Sequence, residues 1–201
     1  AKAHGLKCAR ISELSRMTGG ASKETFAFSL HHADTATPER LVLRMDPAMG
    51  AVETCRRREG QLLIALNDVL PVAPVRFIDG DGEYLDLPGL VTGLVPGATK
   101  PTAFSSQTVS GVGIDFGEYR ATLAAQYVQH LAALHRFDWR ASNLPDFSPP
   151  AIGTTQAALY QVNWWARAWA EDKVEPLPMM TFAERWLREN APISHNTVIV
   201  H

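Results

Sequence analysis

The chain has 201 residues, 46 % of them hydrophobic, and 19 basic against 21 acidic side chains give a formal net charge of −2. That is enough apolar material to bury the core of one or two domains, and the scattered charge excludes the basic stripe of a general nucleic-acid binder. No apolar run approaches the ~20 residues of a membrane helix, no charged-then-apolar leader opens the chain, and the two cysteines, Cys8 and Cys55, stand far apart without metal-ligand spacing, as in a reduced cytoplasmic protein.

The first ~100 residues read as strands. Alternation over Cys8 to Leu14 predicts a first strand, Ser15 to Lys23 a Gly/Ser/Thr loop, and Thr25 to Leu30 a second strand of period two. Pro38 marks a turn before a third strand, Leu41 to Arg44. Gly19 and Gly20 in the connecting loop favour an antiparallel hairpin. From Ala51 to Leu66 the apolar residues Val52, Cys55, Leu62, Leu63 and Leu66 fall near one helical face, and Pro71 and Pro74 end the helix. Val75 to Ile78 reads as a strand entering the tight turn Asp79-Gly80-Asp81-Gly82, and Leu90 to Val95 as another, stopped by Pro96-Gly97. Three strands, one helix and two strands fit a five-stranded antiparallel sheet with one packed helix.

Ala98 to Gly117 is polar and aperiodic, a loop or lobe boundary. Helical periodicity follows. Tyr119 to Phe137 carries Leu123, Tyr127, Leu131 and Leu134 on one face, and Thr155 to Asp172 carries Ala158, Val162, Trp165 and Trp169 on another. Thr181-Phe182-Ala183-Glu184 has the form of a capping box, with Pro192 limiting that helix. Thr197 to Val200 reads as a short buried strand one residue before His201, which suggests that the chain belongs to a longer protein.

Three places can carry chemistry. The loop from Met17 to Thr25, with Gly19, Gly20, Ala21 and Ser22, can bring backbone N–H groups and a hydroxyl close to phosphate oxygens; a plain glycine hairpin has the same composition. Arg44 ends an apolar strand, where a guanidinium needs a carboxylate or phosphate partner. Glu59, after Arg56-Arg57-Arg58 on the next helix, can be that partner, and such a pair would position nucleotide phosphates. The bland alternative has Arg44 in solvent and Glu59 balancing local charge; Arg56-Arg57-Arg58 itself reads as a solvated helix face. Thr92 to Gly97 leaves the strand region where backbone groups of Gly93 and Val95 could meet an adenine edge, or simply turn. Order and combination favour the nucleotide reading.

Those residues resemble the aminoglycoside phosphotransferase and choline kinase-like family of small-molecule kinases. Gly19-Gly20-Ala21-Ser22-Lys23-Glu24-Thr25-Phe26 is similar to its nucleotide-positioning loop, and Leu41-Val42-Leu43-Arg44-Met45-Asp46-Pro47 to its third strand. Arg58-Glu59 with Leu62, Leu63 and Leu66, the segment Val72-Ala73-Pro74-Val75, and Leu131-Ala132-Ala133-Leu134-His135 resemble later motifs in order. Val198-Ile199-Val200-His201 resembles the strand leading to the catalytic H-G-D-x-x-x-x-N loop. Arg44 stands where aminoglycoside-inactivating members carry lysine, which points to the broader branch of the family.

The resemblance implies an α+β, protein-kinase-like bilobal fold: a nucleotide-binding antiparallel β lobe with one helix over 1–97, and part of a mainly helical lobe over 98–201. It implies transfer of the γ-phosphoryl of ATP or GTP to a hydroxyl of a small molecule, with Mg2+, no nucleic acid and no membrane as partner. Gly19, Gly20, Ala21, Ser22, Thr25, Arg44, Glu59, Gly93 and Val95 would hold the nucleotide. His201 would shape the catalytic loop, whose aspartate and metal ligands would follow it. Tyr160 and Trp164 are candidates for the substrate pocket, whereas Trp165 and Trp169 fit a core stripe. His31-His32 reads as a surface strand end, with no third ligand for a metal. A nucleotide-binding pseudokinase and a non-catalytic α+β binding domain are the competing readings.

Overall fold

The computed structural model describes residues 5–17, 24–47, 54–96 and 120–200. Its strands are β1 (Arg10–Arg16), β2 (Glu24–His31), β3 (Glu39–Met45), β4 (Val75–Asp79) and β5 (Gly89–Gly93). Its helices are α1 (Arg56–Leu66), α2 (Arg120–Arg136), α3 (Gln156–Asp172) and α4 (Pro178–Glu189). The strands form one antiparallel sheet in the order β1-β2-β3-β5-β4, with α1 between β3 and β4 in the chain. This is the expected sequence of elements.

Register decides what each face of the sheet does. Directly paired residues share a face, so Thr25, Arg44, Leu90 and Ile78 form one row across β2, β3, β5 and β4. The opposite face carries the main core, Phe28, Leu30 and Leu41, packed with Leu43, Phe77, Val91 and, from the N-terminal segment, Leu6 and Ala9. Helix α1 packs on the Arg44 face. Gly60 makes that approach possible: a Cβ there would lie 2.5 Å from Ile78 Cδ1 and 3.3 Å from Leu90 Cδ1. Leu90 beneath it is fully buried.

Several element ends differ from expectation for local reasons. β1 starts at Arg10, beyond Cys8, whose φ of 53° is left-handed and leaves the strand region. A bulge between Ser12 and Ser15, with Glu13 at φ 54°, interrupts the same strand. The turn after β4 forms as read: the Asp79 carboxylate accepts from the N–H groups of Glu83, Tyr84 and Leu85, and Gly82 takes φ 74°. Helix α4 begins at Pro178, with Leu177 as N-cap. The supposed cap Thr181 therefore lies inside the helix, because a proline at the first position already has the required φ. Thr197 to Val200 is not a strand among the described residues. A strand needs a hydrogen-bonding neighbour, and the bridge formed nearby, Thr154 with Ser194, lies before that segment.

The chain divides into two compact units, 1–146 and 147–201. In the first, α2 buries Leu134, whereas Leu123 and Tyr127 of the predicted stripe are exposed. In the second, α3 and α4 are tied by Arg188 Nη1 donating to Asn163 Oδ1 at 2.6 Å. No described helix is long and apolar enough to cross a membrane.

Candidate functional site

The polar centre of the Arg44 face is a chain of four charges. Arg44 Nη1 donates to Glu59 Oε1 at 2.5 Å. The other oxygen of Glu59 accepts from Arg56 Nη1. Arg56 also donates from Nε and Nη2 to Asp46 Oδ1, at 2.9 and 2.8 Å, and from Nη2 to Thr54 Oγ1 at 3.1 Å. The Arg56 side chain is 1 % exposed, which the solvated-face reading of the three arginines did not foresee. Gly60, one turn after Arg56, draws that side of α1 onto the sheet and takes Arg56 inside; a buried guanidinium is tolerable only with partners such as these.

The expected Arg44–Glu59 pair is therefore present. The pair is also partly exposed. The Arg44 side chain is 41 % exposed, and among the described residues its only acceptor is Glu59. One nitrogen is anchored, and the others can meet an anion from solvent.

Thr25 is the cross-strand neighbour of Arg44. Its carbonyl accepts the Met17 N–H at 2.8 Å, closing the mouth of the β1–β2 hairpin. The loop thus leaves the sheet at the Arg44 end. Gly19, Gly20, Ala21 and Ser22 themselves lie outside the described residues, as does His201. Gly93 pairs with Leu41, in a row of the opposite face, and lies three residues along β5 from Leu90, the partner of Arg44, roughly 10 Å away. Gly93 N–H donates to Pro74 O at 2.8 Å and Leu94 N–H to Arg40 O at 2.9 Å, so neither is open to a ligand. Val95 is exposed just beyond. Ala27, Val42 and Thr92 make the next row on the Arg44 face, toward the Gly93 end of β5. Sequence reading did not single out Ala27 or Val42, although counting back two residues from Arg44 gives Val42.

The phosphotransferase enzyme family (APH) matches residues 13–201. The chain belongs to this family. No curated protein matches it in sequence. A candidate aminoglycoside phosphotransferase from Ralstonia eutropha JMP134 superposes with a TM-score of 0.56 at 21 % identity, over 91 % of this chain and 48 % of its own. A thermostable mutant of aminoglycoside phosphotransferase APH(4)-Ia, in ternary complex with AMP-PNP and hygromycin B, is more distant: TM-score 0.42, 17 % identity, 82 % of this chain and 57 % of its own. The chain spans about half the length of these solved structures. The α+β, kinase-like fold of the family is that expected from the motifs.

Other candidates in this phosphotransferase-family chain fall elsewhere. Helices α3 and α4 enclose an open apolar cleft of about 650 Å³ lined by Val162, Trp165, Trp169, Met180, Trp186 and Leu187. Tyr160 and Trp164 lie outside that lining: Tyr160 is exposed, and Trp164 packs edge-on against Trp165 with ring centroids 4.6 Å apart. Trp165 is itself exposed and lines the cleft, so it does not sit in a closed core. His32 is buried, contrary to a surface strand end; its Nε2 lies 2.5 Å from Glu39 Oε1 and its Nδ1 3.3 Å from Asp34 Oδ2. Burial follows because Glu39 is also gripped by Arg76, which fixes a polar cluster around the ring. No group of three His, Cys, Asp or Glu side chains that could hold a metal occurs among the described residues.

Proposed function

We propose that the protein transfers the γ-phosphoryl of ATP or GTP to a hydroxyl group of a small molecule. The observation that carries this reading is Arg44: a half-exposed guanidinium, anchored by Glu59, on the sheet row from which the glycine hairpin departs. We assign the nucleotide to the sheet region, residues 1–97, and the acceptor to the helical region, 98–201, with Tyr160 and Trp164 as candidate acceptor contacts. Arg44 would bind the α- and β-phosphates, and backbone groups of Gly19 to Ser22, with Thr25 at the loop's base, would cover them. The adenine edge would meet the backbone past Gly93, at Val95, since the N–H groups of Gly93 and Leu94 are already committed. Phosphoryl transfer needs little covalent chemistry from the protein, so positioning and charge stabilisation are its main contributions. Magnesium would neutralise phosphate charge; the described residues do not form its ligand set. We place the protein in the cytoplasm.

Nucleotide titration of the intact protein tests the reading. ATP with Mg2+ is expected to raise the unfolding temperature, and hydroxyl compounds to be phosphorylated. Arg44→Ala is expected to raise the ATP Kd about tenfold to a hundredfold, the range of a lost hydrogen bond to a charged group at ~1.5–3 kcal/mol. Unchanged affinity would refute the assigned role. ATP binding without transfer to any hydroxyl compound would favour a pseudokinase, and no binding a non-nucleotide domain.

A further inference from the structure

We infer that Arg56 is a positioning residue for Arg44, acting through Glu59 and Asp46; the inference rests on the nucleotide reading of the Arg44 face. Arg56 is too deeply buried to touch a ligand. Its influence must pass through the groups it holds. The Glu59 carboxylate is divided between two guanidinium groups, Oε1 for Arg44 and Oε2 for Arg56. A single hydrogen bond at Oε1 would leave Arg44 free to swing about it if the carboxylate could turn. Arg56 prevents the turn by taking Oε2 while braced on Asp46 and Thr54. A guanidinium is planar and recognises phosphate oxygens through a fixed fork, so orienting its plane matters more than it would for a compact ammonium.

Charge gives the second reason. Arg44 and Arg56 face Glu59 and Asp46, two cations against two carboxylates. Asp46 lies two residues past Arg44, just beyond the end of β3. With Arg56 absent, the Asp46 carboxylate would be left without this guanidinium, competing for Arg44 and repelling a polyphosphate. With Arg56 present, its charge is met from inside, and the free N–H groups of Arg44 stay turned to solvent. Arg56 thus stiffens the site mechanically and keeps its anion-binding charge available.

The test is a double-mutant cycle in the intact protein, reading the Kd for ATP in the presence of Mg2+. Arg56→Lys, which cannot span both carboxylates, is expected to weaken binding about fivefold. In an Arg44→Ala background the same change is expected to alter Kd by less than about twofold, since its effect has no Arg44 to pass through. Asp46→Asn, which loosens the brace on Arg56 but leaves no carboxylate to compete for Arg44, reads the mechanical part alone: a smaller loss of about twofold to threefold is expected with Arg44 present and none without it, and it serves where Arg56→Lys loses the fold, as judged by urea denaturation. Equal losses in both backgrounds, or no loss with Arg44 present, overturn the positioning role. An Arg44→Ala protein that binds ATP normally overturns the nucleotide assignment itself, and this proposal with it.

Discussion

The sheet and the α3–α4 pair handle their apolar and charged residues in opposite ways. Every buried apolar side chain among the described residues, from Ala27 to Leu144, belongs to the unit that carries the sheet. Helices α3 and α4 bury none completely, and Trp165, Phe182 and Trp186 are each more than half exposed. Charges follow this division in part, for exposed pairs such as Arg16 with Glu24 also occur on the sheet. Near the sheet they form shared, partly desolvated networks around Arg56 and Glu39; on α4 they are surface pairs one turn apart, Arg185 with Glu189 and Arg188 with Glu184. The lesson is that fixed polar geometry is concentrated in the unit that carries the sheet, where Glu59, Arg56 and Glu39 each have more than one partner. The helix pair instead offers adaptable apolar area.

The sharpest way to break this comparison is to remove one large side chain from each region. Leu90→Ala, at a fully buried position between α1 and the sheet, is expected to cost about 2–5 kcal/mol in urea denaturation. Trp165→Ala is expected to stay within about 1 kcal/mol, because most of that ring already faces solvent. Equal losses at the two sites would show that the helix face is covered in the intact protein.

How much of this was legible in the sequence follows the same division. Period-two alternation located β1 and β2, and apolar runs bounded by turn residues located β3, β4 and β5, each within a few residues. Helices α2 and α3 were found within a residue or so by their 3.6-residue period. Arg56 was not legible: three consecutive arginines carry no mark of which is buried. The mark was Gly60, whose missing side chain lets the helix settle on Ile78 and Leu90 and takes Arg56, one turn earlier, inside. His32 was misread for a related reason: its partner Glu39 is held in turn by Arg76 of β4, a contact 37 residues away in the chain that a linear reading does not supply. Asp146, joined to Gln61 on α1 at 2.6 Å, is a third long-range contact with no local signal.

Gly60→Ala tests that account at intermediate size. The new methyl would meet Ile78 Cδ1 at 2.5 Å and Cγ1 at 2.9 Å, and the end of the isoleucine can swing aside. Helix propensity favours alanine by ~1 kcal/mol, and overpacking opposes it by about 1–3 kcal/mol. The expected net is a loss of roughly 1 kcal/mol, accompanied by weaker ATP binding as α1 lifts Glu59 from Arg44. A more stable protein with unchanged ATP affinity would show that close approach of α1 is not what sets the site.

The smallest effect concerns how the two kinds of ion pair respond to acid. A two-pronged grip by Arg76, at 2.8 and 2.9 Å, holds the Glu39 carboxyl below its usual value against the opposing effect of burial, and His32 adds to the lowering. A lowered folded-state pKa means that the ionised group stabilises the fold fully above the unfolded value of about 4.3. That stabilisation is lost as pH falls through the lower folded value. Glu39→Gln should therefore be less stable than the parent near neutral pH, and the two urea curves should converge as pH drops below about 4. Glu189→Gln on α4 breaks a solvent-exposed pair and is expected to cost no more than about 0.5 kcal/mol, fading with added salt. A gap for Glu39→Gln that stays constant down to strongly acid pH would mean that its carboxylate is not what Arg76 stabilises, and the contrast between networked and surface charge would lose its electrostatic basis.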